Sequence, residues 1–347
     1  MRINGCIGRA GRDRTLLVDW GGVIAGVLSL LILSGTAVGQ SQTTFSGQAT
    51  VVRASAPVIG NVLLADTGPL APGGGAADAT LLEASVPGLL SAEVLHAAAV
   101  AGGSQSNAEA SVANLDLTVA GNHISAGFLM ARAQAQCQDG RASVSGSSQI
   151  FMLNVNGQEI AVTGEANQTI ELPVGRLIIN EQIVSADASG KCAGMTVNAL
   201  HVVVSGIADV VIASAHADIC CGAAPTCDKD FVTGGGWITG TPTGAKGTFG
   251  VAGGIRKNSF WGHLTYIDHG AALKVKGTGV TSYTAVGPTS RRITGSCEIN
   301  GQPGTYDVTV SDNGEPGRND TFSILLSTGY SAAGNLEGGN IQLHLCR

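Results

Sequence analysis

Charge is scarce in this chain: Asp, Glu, Lys and Arg together make up 13% of its 347 residues. Its 19 basic residues are outnumbered by 25 acidic ones, which excludes a surface able to neutralise a phosphate backbone, and with it a nucleic-acid partner. Scarce charge with 44% hydrophobic residues also excludes a disordered chain, because apolar burial can offset the entropy of ordering. Aromatics reach only 4%. No segment after the first 39 residues has the length and 3.6-residue period of a strong amphipathic helix. No G-x-S-x-G elbow, H-E-x-x-H helix, P-loop or cysteine-protease signature occurs. Gly234-Gly235-Gly236 precedes Trp237 in a strand-like run rather than a helix, which argues against a phosphate cradle. Glycine there is expected to bend the strand or admit close backbone approach.

What is present begins with an address. Arg2, Arg9, Arg12 and Arg14 precede an apolar run from Val23 to Leu33, and Ala37-Val38-Gly39 closes it with small residues. This is the pattern of an export leader over 1–39. The alternative is an uncleaved anchor, since Gly21 to Gly39 carries no charge and could nearly span a bilayer. The only membrane contact expected is through this leader.

Seven cysteines follow, at 137, 192, 220, 221, 227, 297 and 346, and an exported chain meets an oxidising environment. Local loop closure suggests Cys137 with Cys192 and Cys297 with Cys346, and Cys221 with Cys227 from the remaining trio, leaving Cys220 over. Three thiolates within eight residues could instead bind zinc, although no fourth ligand completes a recognised spacing.

Composition divides the mature chain. Residues 40–220 carry five basic and 14 acidic residues and only Phe45, Phe128 and Phe151 as aromatics. Residues 228–347 carry ten basic and nine acidic residues, Trp237, Trp261, all four tyrosines and four phenylalanines. The boundary falls in a Cys-containing linker over 221–227, rich in turn residues. Both halves alternate as strands do: Leu115, Leu117 and Val119 run into Gly121-Asn122 and a second strand, and Asn156-Gly157 is a strong hairpin signal. Ala92 to Gly102 mixes alanines, which favour helix, with alternation and Gly-rich flanks, and is read as strand. The expected fold class is all-β: two tandem antiparallel β-sandwich or barrel-like domains after an N-terminal signal helix.

Several strings carry a resemblance. SGQATVVRAS (46–55), LADTGPL (64–70), EASVPGLLSAEVLHA (83–97) and NAEASVANLDLTVAGNHISAGFLMARAQAQC (107–137) resemble the choice-of-anchor P family of exported bacterial proteins. CDKDFVTGGGWI (227–238), GTFGVAGGI, FWGHLTYIDHG and DNGEPGRNDTFSI (312–324) resemble the domain that often follows it. The resemblance implies an extracellular or cell-surface location and leaves biochemical activity open. Family members end in varied sorting signals, whereas this chain ends NIQLHLCR, so a freely secreted protein, or one held at the surface by contacts, is expected.

Candidate chemistry is sparse. Asp312, Asn313 and Asp320 lie on a Gly-containing segment that could offer oxygens to calcium, the one cofactor weighed, although the same residues suit a tight turn. Trp237, Trp261 and Tyr266 could form a platform for sugar rings or could fill a core. His263 and His269 share strand parity around Asp268, without a third ligand, and are read as a solvated strand end. His96, His123, His201 and His216 stand singly. The expected function is a non-catalytic exported interaction or structural module, not an enzyme, with envelope polymers, glycans or other surface proteins as partners. The alternative is a secreted carbohydrate-binding protein or hydrolase, in which carboxylates such as Asp268, Asp307 and Asp320 would meet in space.

Overall fold

The computed structural model describes residues 42–57, 59–222 and 230–345. The leader, the expected signal helix, Cys227 and Cys346 therefore lie outside the described residues.

The first half forms thirteen strands: β1 (Thr44–Ala56), β2 (Gly60–Asp66), β3 (Gly75–Val86), β4 (Leu90–Gly102), β5 (Gln105–Val119), β6 (Asn122–Gln138), β7 (Arg141–Phe151), β8 (Asn154–Val155), β9 (Gln158–Glu159), β10 (Gln168–Glu171), β11 (Arg176–Ala186), β12 (Cys192–Val204) and β13 (Ala208–Cys220). The second forms nine: β14 (Phe231–Ile238), β15 (Gly247–Arg256), β16 (Ser259–Asp268), β17 (Leu273–Ala285), β18 (Ser290–Ile299), β19 (Gln302–Ser311), β20 (Thr321–Leu326), β21 (Ser331–Asn335) and β22 (Gly338–His344). All pairings are antiparallel, so the all-β reading holds, including the strand assigned to Ala92–Gly102. Tight turns set the registers. The β5–β6 loop is Ala120-Gly121 and the β8–β9 loop Asn156-Gly157, each with both residues at positive φ, as two-residue hairpins of this kind require. Only two residues flank Asn156-Gly157 on each side as strand, because the run before them belongs to β7.

Three sheets result. The outer sheet has the order β10-β11-β12-β13-β1-β2, and the middle sheet β3-β4-β5-β6-β8-β9, with β7 also on β6. These two form a sandwich over Val51, Leu95, Val112, Leu129, Val197 and Ile212, all fully buried. The second half makes one nine-stranded meander, β21-β20-β19-β18-β17-β16-β15-β14-β22, that curls into a half-barrel. Its curvature brings Phe249 of β15 against Phe322 of β20, ring centres 4.0 Å apart. The convex face of the half-barrel packs on the free face of the middle sheet. The two halves differ in sheet as they do in composition, yet Gln40–Arg347 forms one compact unit.

The disulfides correct the expected pairing. Cys192 joins Cys220, and Cys137 joins Cys221, so neither Cys137–Cys192 nor Cys221–Cys227 forms. Loop length is overridden by register: Cys192 and Cys220 are direct cross-strand neighbours on β12 and β13. The next residue, Cys221, then reaches Cys137 on β6 and ties outer sheet to middle sheet across a sequence separation of 84. A loop of that size removes roughly 4–5 kcal/mol of denatured-state entropy in the chain-entropy model. Among the described residues Cys297 is buried and has no disulfide partner.

The loop between β19 and β20 shows what its acidic residues hold. The Oδ2 of Asp312 accepts the Leu343 N–H, and Asp320 accepts from Asn313 N–H at Oδ1 and Ile341 N–H at Oδ2, each at 2.8 Å. Carboxylates thus stand in for the missing strand along the outer edge of β22. Among the described residues no group of three or more His, Cys, Asp or Glu is arranged to hold a metal ion. Replacing Asp320 by Ala leaves two N–H donors without acceptors, one of them in the buried edge of β22. We expect urea unfolding to show a loss of about 2–4 kcal/mol, with calcium and chelator leaving the midpoint unchanged.

Candidate functional site

The middle sheet is covered on both faces over much of β4, β5 and β6, and parity decides which residues see the half-barrel. On β4 the parity is switched by an irregular register around Glu93, where Val94 takes φ 47, a strained value for a β-branched residue. Before it, Leu90 and Ala92 face the sandwich core. After it, Leu95, Ala97 and Ala99 do, and Val94, His96, Ala98 and Val100 turn toward the half-barrel. The facing rows are Asp78 and Thr80 on β3, Asn107, Glu109 and Ser111 on β5, and Phe128, Met130, Arg132 and Gln134 on β6.

This face has an apolar end and a polar end. Val94, Ala113, Phe128 and Met130 meet Ile267 of β16 and the half-buried Trp237 of β14. Trp237 sits against Phe128 and Phe151, with the Lys246 ammonium 4.7 Å from its ring. The backbones come close because of glycine: a Cβ on Gly235 would lie 2.5 Å from the Ser111 hydroxyl, and one on Gly250 2.7 Å from the His96 Cβ. The triple glycine therefore serves sheet-on-sheet contact through Gly235.

At the polar end, four side chains from four strands form a chain. Asp78 Oδ2 lies 2.8 Å from His263 Nδ1, and His263 Nε2 lies 2.6 Å from His96 Nδ1. His96 Nε2 lies 3.2 Å from Glu109 Oε1. Burial would raise the Asp78 carboxyl, but the hydrogen bond from His263 and the fields of both imidazoles outweigh it and hold the group below the usual carboxylate range. Burial pushes His263 down despite Asp78. The network then assigns the protons: His263 donates through Nδ1 to Asp78 and accepts at Nε2 from His96 Nδ1–H. His96 Nε2 faces the Glu109 carboxylate as a buried pair. Among the described residues, His96 Nε2, both Glu109 oxygens and the Ser111 hydroxyl are buried without a hydrogen-bond partner.

Glu109 also lines a cleft of about 380 Å³ between the middle sheet and β14 and β22. Directly across from Glu109 in the register is Arg132, and from Asn107, Gln134. Arg132 Nη1 donates to Glu315 Oε1 at 3.0 Å, and Gln134 Nε2 donates to Asn107 Oδ1 at 3.0 Å. The opposite wall holds Thr233, Gln342 and a stacked pair, Phe231 on His344, with ring centres 4.4 Å apart. Burial, with the Arg132 charge adding to it, pushes His344 down to about 3.

The residues singled out by sequence fare unevenly. His263 is not a solvated strand end: it is 5% exposed and joins the buried chain. His269 contacts the Thr248 hydroxyl, outside that chain. Trp237, Trp261 and Tyr266 do not form one platform, because Trp237 is wedged between sheets, Trp261 leans on Phe231, and Tyr266 is fully buried inside the half-barrel, donating to Tyr330. Asp268, Asp307 and Asp320 stay apart: Asp268 accepts from Tyr330, Asp307 pairs with Arg292, and Asp320 clips β22. Asp78, His96, Glu109 and Arg132 were not chosen from sequence. The available signal was weak: His96 and Arg132 each interrupt a run of mostly apolar residues, on β4 and β6.

Comparison with known proteins adds little. No family model matches the chain, and no curated protein matches it. Among solved structures, a crystal structure from Nitrosomonas europaea, named only provisionally as AttH, aligns over 88% of this chain and 93% of its own at 9% identity and a TM-score of 0.20. A likeness at that level carries no argument.

Two measurements probe the site. Glu109→Gln removes the carboxylate of the buried His96–Glu109 pair, so we expect urea unfolding to show a loss of about 1–3 kcal/mol. A gain would show that the carboxylate is buried there at a net cost. For His344, the unfolded chain takes its proton near pH 6.5 and the folded chain only near pH 3. Its contribution is therefore complete above 6.5 and lost as pH falls toward 3. Between pH 7 and pH 5 the wild type is expected to lose about 2 kcal/mol more than His344→Phe, which keeps the stack on Phe231. Asp320, raised to about 6 by burial, titrates in the opposite sense and cancels in that difference.

Proposed function

We propose that this chain is an exported, non-catalytic β protein that acts outside the cell or at its surface as an interaction module, with the cleft around Glu109 as its binding site. The observation that carries the reading is the cleft itself, about 380 Å³ and lined by Asn107, Glu109, Arg132, Gln134, Phe231 and His344. A concave site with an aromatic pair and a few convergent polar groups is the usual form of a binding site. The leader-like first 39 residues and the two disulfides support an oxidising compartment, and the resemblance to the choice-of-anchor P family agrees with a surface location.

A second reading, a secreted hydrolase, draws on the Asp78–His263–His96 chain, because an imidazole oriented by a carboxylate beside a cleft is the arrangement that general acid–base chemistry uses. One experiment separates them. The purified protein, immobilised and incubated with isolated envelope polysaccharide and with envelope protein, is expected to retain material without releasing reducing ends. Release would convert the module into an enzyme, and no retention in either fraction would remove the binding reading.

A further inference from the structure

The buried chain ties the half-barrel to the middle sheet through one shared proton. His96 is fully buried and His263 is 5% exposed, and the 2.6 Å between His96 Nδ1 and His263 Nε2 holds a single hydrogen, donated by one ring and accepted by the other. A cation on His96 is accommodated, because its Nε2 faces Glu109 and its Nδ1 donates to His263. A second cation, on His263, is not. Both rings would then point N–H groups at each other, and relief requires β16 to move off β4. The surrounding groups do not remove the conflict. Asp78 on β3 and Glu109 on β5 each face one imidazole, and Arg132 on β6 stands across the register from Glu109 and pairs with Glu315. From β15 come only the uncharged Gly250 and Ala252. Asp78 is held below the usual carboxylate range, so it stays ionised while the imidazoles titrate.

We infer that the seat of the half-barrel on the middle sheet is an acid-sensitive joint, in which a second proton on the His96–His263 pair releases β15 and β16 from β3 and β4. Burial already holds His263 uncharged against the pull of Asp78. An imidazole that binds its proton less tightly in the docked state than in the released one supports docking fully above about pH 6.5 and loses that support as pH falls. One proton taken up on release shifts the equilibrium toward the open form about thirty-fold between pH 7.5 and pH 5. The cleft is walled by the same two sheets, so release dismantles it and brings Phe128, Met130 and Trp237 into water. The joint works whether or not the cleft holds a ligand.

The test is a urea titration of the whole protein labelled with fluorotryptophan, followed by fluorine NMR of Trp237, whose signal is assigned through Trp237→Phe. The comparison is with His263→Gln. Its amide oxygen accepts from His96 Nδ1–H and its amide N–H donates to Asp78, so the chain is kept and the second charge is removed. Extrapolated to water, wild type is expected to open about thirty-fold more readily at pH 5 than at pH 7.5, over and above the change in His263→Gln. His344 and Asp320 titrate in both proteins and cancel. Parallel pH dependence of the two proteins overturns the proposal. Should His263→Gln fail to dock at pH 7.5, nitrogen-15 NMR of the wild-type imidazoles decides. A second proton that arrives only together with the change at Trp237 supports the joint, and two cationic rings with Trp237 still in its docked state overturn it.

Discussion

Everything in this molecule follows from the position of the middle sheet, which is covered on both faces over much of β4, β5 and β6. Its strands must satisfy one sheet with alternate residues and a second sheet with the rest. Toward the outer sheet they do so with Ala, Val and Leu, small and regular enough to close a dry sandwich. Toward the half-barrel they use two solutions side by side. At one end Phe128, Met130 and Trp237 bury apolar area. At the other, polar side chains face each other, and glycines on β14 and β15 bring the backbones close enough for His96 and His263 to meet.

The polar end is costly in the way functional sites are. Burying the Glu109 carboxyl against His96 costs desolvation, and Val94 sits in a backbone region that disfavours it. The apolar end, the Cys137–Cys221 bridge and the carboxylate clips on β22 supply the stability that lets this persist. Strain and unpaired groups lie together, on the same irregular stretch of β4 and β5, and the cleft opens next to them. The peripheral ion pair Lys274–Glu83 is exposed and adds little.

Much of the local structure could be read in advance. Alternation, turn signals at Gly121-Asn122 and Asn156-Gly157 and the lack of helical periodicity were enough for an antiparallel all-β chain, although the first turn sits one residue earlier, at Ala120-Gly121; the change in composition near residue 220 coincides with the passage from sandwich to half-barrel. Pairing of cysteines could not be read, because it depends on which strands become neighbours: Cys192 meets Cys220 through a register, not through loop length. The buried chain was equally hidden. His96 and His263 are 167 residues apart, and on β4 simple parity places His96 with Leu90 and Ala92, facing the sandwich. One irregular register reverses that.

By itself, then, the sequence determined the class of secondary structure, the two-part division and the scarcity of charge, because period-2 patterning and composition act locally along the chain. Only the tertiary structure decided which charges would be buried and what they would face. His96, Glu109 and His263 are unremarkable where they stand in sequence, and they become a buried cluster because two sheets pack face to face around them, with the exposed Asp78 at its rim.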